Sequence, residues 1–253
     1  MTDTAGIKNI LVALDSADDS LALLESAMQL ANSLQASLEG MFIEDAALLN
    51  LASLPFAREI VPGTRGARSL SSVSMERTIK SQREQVQQMF SRISAEAHMQ
   101  CHFSSVRGEV LDEVLSASTK NDLLLVSRRS RFIRKPVARA GKVAVVCTDE
   151  TRIEKILPIA IDLALKNNQY GLLVLLPEEN AVELQTRIDA FIQNKKIKAE
   201  YVLMDKMNAA SLHYATGREN TRMMVLDTGS AGLDGNVIRA ILADCHFPVV
   251  LVR

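Results

Sequence analysis

Five consecutive apolar residues, Ile10 to Leu14, run into an acidic turn, Asp15-Ser16-Ala17-Asp18-Asp19. An unbroken run of strand formers fits a strand covered on both faces. Apolar positions then recur at Leu21, Leu24, Met28, Ala31 and Leu34, the spacing of a helix face, and Asp18, Asp19 and Ser20 are placed to cap its N-terminal end. A second strand is predicted from Leu38 to Ile43. The same order returns after Lys142: a strand from Val143 to Cys147, an acidic turn at Asp149-Glu150, a helix with Ile153, Ile156, Ala160 and Ala164 inward, and a strand from Leu172 to Leu176. A repeated strand, helix, strand unit of about 30 residues predicts right-handed parallel crossovers.

Later strands at Phe103 to Val106 and Leu123 to Val126 correspond to Tyr201 to Met204 and Met223 to Leu226. The opening strands are offset by 132 positions, Asp15 to Cys147, and the later ones by 100, Ser127 to Asp227, so the first half carries about 32 extra residues. They fall around 55–75, where Pro55, Pro62, Gly63, Gly66 and a run of serines predict a long loop, functional or disordered, before a long helix with Ile79, Val86, Phe90, Ile93 and Ala97 on one face. The second half continues through Gly229-Ser230-Ala231-Gly232 into a short helix and a last strand, Val249 to Val252. Between Arg128 and Gly141 the first half lacks room for both. The expectation is two tandem α/β domains, each a doubly wound, mostly parallel sheet: 1–140, with the 55–75 insertion and no evident fifth strand, and 141–253.

Composition narrows the function. The 253 residues are 47% apolar and 23% charged, with a net charge of −1, which removes the electrostatic case for a nucleic-acid binder. Apolar runs are too short to span a membrane and no leader is evident, so a cytoplasmic location is expected. Cys101, Cys147 and Cys245 show no C-x-x-C spacing, and Cys147 and Cys245 read as small buried hydrophobes. His98, Cys101 and His102, between a helix end and a strand, would face different ways and form no metal site. No G-x-S-x-G, H-E-x-x-H or P-loop is present, and no catalytic residue is assigned.

An acidic residue closing strand one, strands alternating with helices, a glycine-bearing turn after strand four, and the closing stretch Gly235-Asn236-Val237-Ile238-Arg239-Ala240-Ile241-Leu242 with Phe247-Pro248-Val249-Val250-Leu251-Val252 together resemble the universal stress protein family, in a tandem, Rossmann-like form. The resemblance implies a stress-response or regulatory protein. In nucleotide-binding members an Asp after strand one meets the ribose or adenine side, and G-x2-G-x9-G-[S/T] after strand four cradles phosphates. Here Asp15 is kept in the first half, but Ser127 and Ser130 stand where glycines are expected. The second half has Gly229, Gly232 and Gly235, with a shortened spacer, Asn236 in place of Ser or Thr, and Cys147 in place of the Asp. The reading is a non-catalytic protein with weak or lost nucleotide binding, requiring no cofactor; the alternative is a true ATP or AMP binder with slow ATP hydrolysis. The resemblance also implies an intramolecular pseudo-dimer, with the single closing strand Val249 to Val252 available to recruit a second chain.

Three features compete as ligand sites. Asp15 is a helix-capping acid or a nucleotide contact; the Gly229 to Gly235 turn with Asn236 is a tight turn or a phosphate cradle. The third is Arg128-Arg129-Ser130-Arg131 with Arg134 and Lys135. It is a solvated linker, or an anion site in which Arg128, Arg129 and the Ser127 and Ser130 hydroxyls replace the missing glycines.

Overall fold

The computed structural model describes residues 7–17, 20–60, 67–127, 141–166, 171–230 and 232–253. In chain order these form β1 (Asn9–Leu14), α1 (Ser20–Leu34), β2 (Ser37–Asp45), α2 (Ala46–Ala52), β3 (Arg58–Ile60), β4 (Ala67–Ser69), α3 (Ser72–Glu96), β5 (His102–Gly108), α4 (Val110–Ser118) and β6 (Leu123–Ser127). The second half adds β7 (Lys142–Val146), α5 (Glu150–Lys166), β8 (Gly171–Pro177), α6 (Ala181–Ile192), β9 (Ala199–Met204), α7 (Ala209–Arg218), β10 (Thr221–Asp227), α8 (Gly235–Asp244) and β11 (Val249–Val252).

Among the described residues, nine strands form one sheet in the order β5-β2-β1-β6-β11-β10-β7-β8-β9. Read inward from either edge, the order is the same: 5-2-1-6 from one half and 9-8-7-10 from the other. Every pairing is parallel except β11 with β6. Both faces are covered, which is why the strands read as unbroken apolar runs. Ile10, Val12 and Leu14 share one core with α1, α3, α5 and α6, while Leu11 and Ala13 share the other with α4, α7 and α8. In each half the chain winds outward along one face and returns along the other. The direction therefore reverses between β1 and β6, and again between β7 and β10, and such switch points open crevices at the carboxyl ends of the strands.

Two expectations are corrected. Val249 to Val252 does not offer an edge to a second chain, because β11 pairs with Met224 to Asp227 of β10 on one side and with Leu123 to Val126 of β6 on the other. A strand hydrogen-bonded along both edges has no template left, and β11 instead joins the two halves, supported by Ser33 Oγ on Asp162 and Arg239 on Asp112 across the same boundary. Of the 55–75 stretch, 61–66 lie outside the described residues, and the rest holds a strand pair and a helix start rather than loop alone. β3 and β4 pair antiparallel, and α3 starts at Ser72 because the Ser71 hydroxyl accepts the Ser74 N–H at 3.2 Å. The extra length of the first half lies in α2, this ribbon and an α3 of 25 residues against 12 in α6. The stretch where a fifth strand of the first half was sought, 128–140, lies outside the described residues. No described helix is long and apolar enough to cross a membrane.

Candidate functional site

In the first half, the end of β1 and the end of β6 lie side by side, with Leu14 opposite Ser127. Asp15 and Ser127 are thus brought together at the switch point. Both are half-buried. Arg128, Arg129 and Ser130 lie outside the described residues.

In the second half, the equivalent crevice lies between the ends of β7 and β10. Cys147 occupies the place of Asp15; it is buried, its N–H donates to Leu175 O, and burial with Asp149 nearby pushes its thiol up to about 12. It is a packing residue there. Asp227, the last residue of β10, is fully buried and accepts the Gly229 N–H at 2.7 Å through Oδ1. Its Oδ2 faces the Arg152 guanidinium at 3.5 Å. That guanidinium lies so close to Gly229 that a Cβ there would sit 2.4 Å from Nη2. Gly232 has φ +81, a conformation L side chains rarely adopt. Gly235 opens α8, and the Asn236 and Val237 N–H groups both donate to the capping Asp234 Oδ1, at 2.9 and 2.8 Å.

These contacts decide what the glycine turn can hold. A phosphate cradle needs free backbone N–H groups and positive potential. Here the Gly229, Asn236 and Val237 amides are bonded to the carboxylates of Asp227 and Asp234, which also place negative charge where a phosphate would approach. The Thr148 Oγ1, Asn180 Oδ1 and Ser230 Oγ atoms are buried without a hydrogen-bond partner among the described residues, and the Asn180 amide donates to Thr148 O. They line the same carboxyl edge as Asp227; Asn180 Oδ1 can only accept, while the Thr148 and Ser230 hydroxyls can also donate. No group of three or more His, Cys, Asp or Glu among the described residues is placed to hold a metal ion.

Sequence reasoning missed Arg152, Asp227, Thr148 and Asn180. Arg152 carried a signal: a basic side chain in the first turn of α5 opposes the helix dipole and asks for a local carboxylate. Asn180 carried none, because its role depends on the turn after β8 coming back to Thr148.

No family model matches the chain, and no curated protein matches its sequence. The architecture does find a counterpart. The crystal structure of a universal stress protein from Archaeoglobus fulgidus DSM 4304 overlays with a TM-score of 0.55 at 10% identity, covering 97% of this chain and 96% of that chain. The chain has the universal stress protein fold. At that identity the likeness carries the fold alone. A functionally unknown protein from Pseudomonas aeruginosa PAO1 overlays with a TM-score of 0.48 at 10% identity, over 100% of this chain and 94% of that chain. A universal stress protein in complex with cAMP gives a TM-score of 0.30 at 12% identity, over 77% and 96%, too loose a likeness to place a ligand here.

Proposed function

We propose that the chain is a non-catalytic regulatory protein of the cytoplasmic stress response in which nucleotide binding is weak or lost, its halves 1–140 and 141–253 acting as an internal pseudo-dimer. The observation that carries this reading is the Gly229 amide bonded to Asp227 and covered by Arg152. A triphosphate entering the second half would have to displace the half-exposed Arg152 guanidinium from the buried Asp227 carboxylate and meet two carboxylates. In the first half the ligand left to Asp15, Ser127, Ser130, Arg128 and Arg129 is an anion rather than a whole nucleotide, since no run of glycine amides accompanies them.

Titration calorimetry with ATP, AMP and cyclic AMP tests the reading. The expected result is no saturable heat, or dissociation constants weaker than about 1 mM, some 4 kcal/mol of binding. Micromolar ATP binding followed by slow phosphate release would replace this reading with that of a true ATP-binding, slowly hydrolysing protein.

A further inference from the structure

Exposed large apolar side chains are scattered over the described surface except in one place. Leu51, Leu54 and Phe56 lie at and just beyond the end of α2, with Phe56 76% exposed, and Val73, 59% exposed, lies in the first turn of α3. The ribbon brings these ends together: Arg58 pairs with Ser69, and the Leu70 N–H donates to Ala57 O at 3.0 Å, which sets Phe56 beside Ser71. α2 also packs on α3. A gathered, solvent-facing apolar patch on a soluble fold marks a contact surface.

A polar face of α3 continues from this patch over an open volume of about 560 Å³, lined by Val73, Ser74, Arg77, Thr78, Ser81 and Gln85 among others. At 1.5 Å per residue it runs about 18 Å from Val73 to Gln85. Charge supplies the second observation. Among the arginines whose side chains are described, Arg58 and Arg77 are those with no ion pair or hydrogen bond; Arg83 and Arg107 are held by Glu44, Arg187 by Glu150 and Glu154, and Arg239 by Asp112. Both flank the apolar patch.

We propose that this face docks a segment of a partner protein that is both acidic and apolar. Its apolar side chains meet Phe56 and Val73, its carboxylates meet Arg58 and Arg77, and its backbone is met by the hydroxyls and amides on that face of α3. An anionic bilayer is held by clusters of about four or more basic side chains, whereas this face joins two uncommitted arginines to a row of neutral hydroxyls and amides, which suits a peptide. The proposal does not depend on whether a nucleotide binds.

The test is a phage library of random peptides, each about four helical turns long, panned on the intact chain, with the enriched peptides then synthesised and titrated by fluorescence anisotropy. The proposal expects Asp and Glu interspersed with Leu or Phe. It also expects affinity to fall at least about tenfold, or 1.4 kcal/mol, in Phe56→Ser and in Arg58→Glu/Arg77→Glu, at unchanged melting temperature. Enrichment of neutral or basic peptides, or equal binding by the variants, overturns it. So does binding to phosphatidylserine vesicles without any peptide enriched, or a concentration-dependent dimer that Phe56→Ser abolishes.

Discussion

Arg152 and Asp227 form an ion pair across the switch point of the second half, 3.5 Å apart, with the carboxylate fully buried and the guanidinium partly in solvent. Removing the arginine leaves Asp227 with the Gly229 N–H and no counter-charge. Arg152→Ala is therefore expected to cost about 1–3 kcal/mol in urea unfolding, and Asp227→Asn in the same background to recover part of that loss. Purely additive effects in the double-mutant cycle would show that the pair is not coupled. Gly229→Ala, whose methyl group collides with the guanidinium, should behave as a milder Arg152→Ala.

The anion reading of the first half separates cleanly from a glycine-turn site. Arg128→Ala/Arg129→Ala should weaken sulfate or phosphate binding by about 1–3 kcal/mol, the size of one or two charge-assisted hydrogen bonds. Gly232→Ala should leave binding unchanged while lowering stability by about 1 kcal/mol, since its φ of +81 strains any L side chain although the space is open. Loss of anion binding in Gly232→Ala alone would move the site to the second half.

Much of this fold was legible because its strands are buried on both faces and its halves repeat. Ile10 to Leu14 and Leu172 to Leu176 could be read as strands without any partner in view. What the sequence did not reveal depends on which strands meet. Val249 to Val252 looks the same whether it is an outer edge or the join between halves, and only pairing with β6 and β10 distinguishes the two. The short α2 was missed because seven residues carry less than two full periods, although Asp45, which accepts the Ala47 N–H, is a cap. In the site, glycine spacing was visible, and so were Asp227 two residues before Gly229 and Asp234 just before α8, the spacings of an Asx turn and an N-cap; only the Arg152 contact is tertiary and had no spacing to betray it.

Alkaline pH should destabilise the chain through the thiols of buried Cys147 and half-buried Cys245. Burial, with Asp149 beside Cys147 and Asp244 beside Cys245, pushes both thiols from 9.0 up to about 12. The unfolded chain releases these protons near pH 9 while the folded chain keeps them, so the stability they lend is complete below about pH 9 and is lost as pH rises toward 12. Each thiol contributes a slope of up to about 1.4 kcal/mol per pH unit in that window. Tyr201, pushed upward by burial and by its hydrogen bond to Asp189, acts in the same direction. Urea unfolding of Cys147→Ala at a series of pH values should give a shallower decline than the parent; an unchanged slope would exclude the thiol as its source. At pH 8, iodoacetamide should label Cys147 only after unfolding.

Glu44 holds α3 in place. Its carboxylate, largely buried at the carboxyl end of β2, accepts Arg83 Nη1 from α3 at 2.8 Å on one oxygen, and Arg107 Nε and Nη2 from β5 at 3.1 and 2.9 Å on the other. A carboxylate is needed because an amide offers one acceptor oxygen and would turn donors toward one of the two guanidinium groups. Glu44→Gln is thus expected to cost about 2 kcal/mol and to speed hydrogen exchange in α3 near Arg83 more than in α5. Glu84→Gln serves as the contrast: its partner Lys80 lies 4.0 Å away and both side chains are more than half exposed, so it should change stability by less than about 0.5 kcal/mol. Since α3 also carries the polar face beside Val73, loosening it in Glu44→Gln should weaken acidic peptide binding although Glu44 touches neither Arg58 nor Arg77. Equal exchange rates in α3 for Glu44→Gln and Glu84→Gln would show that the helix is held by Ile79, Val86 and Phe90 alone.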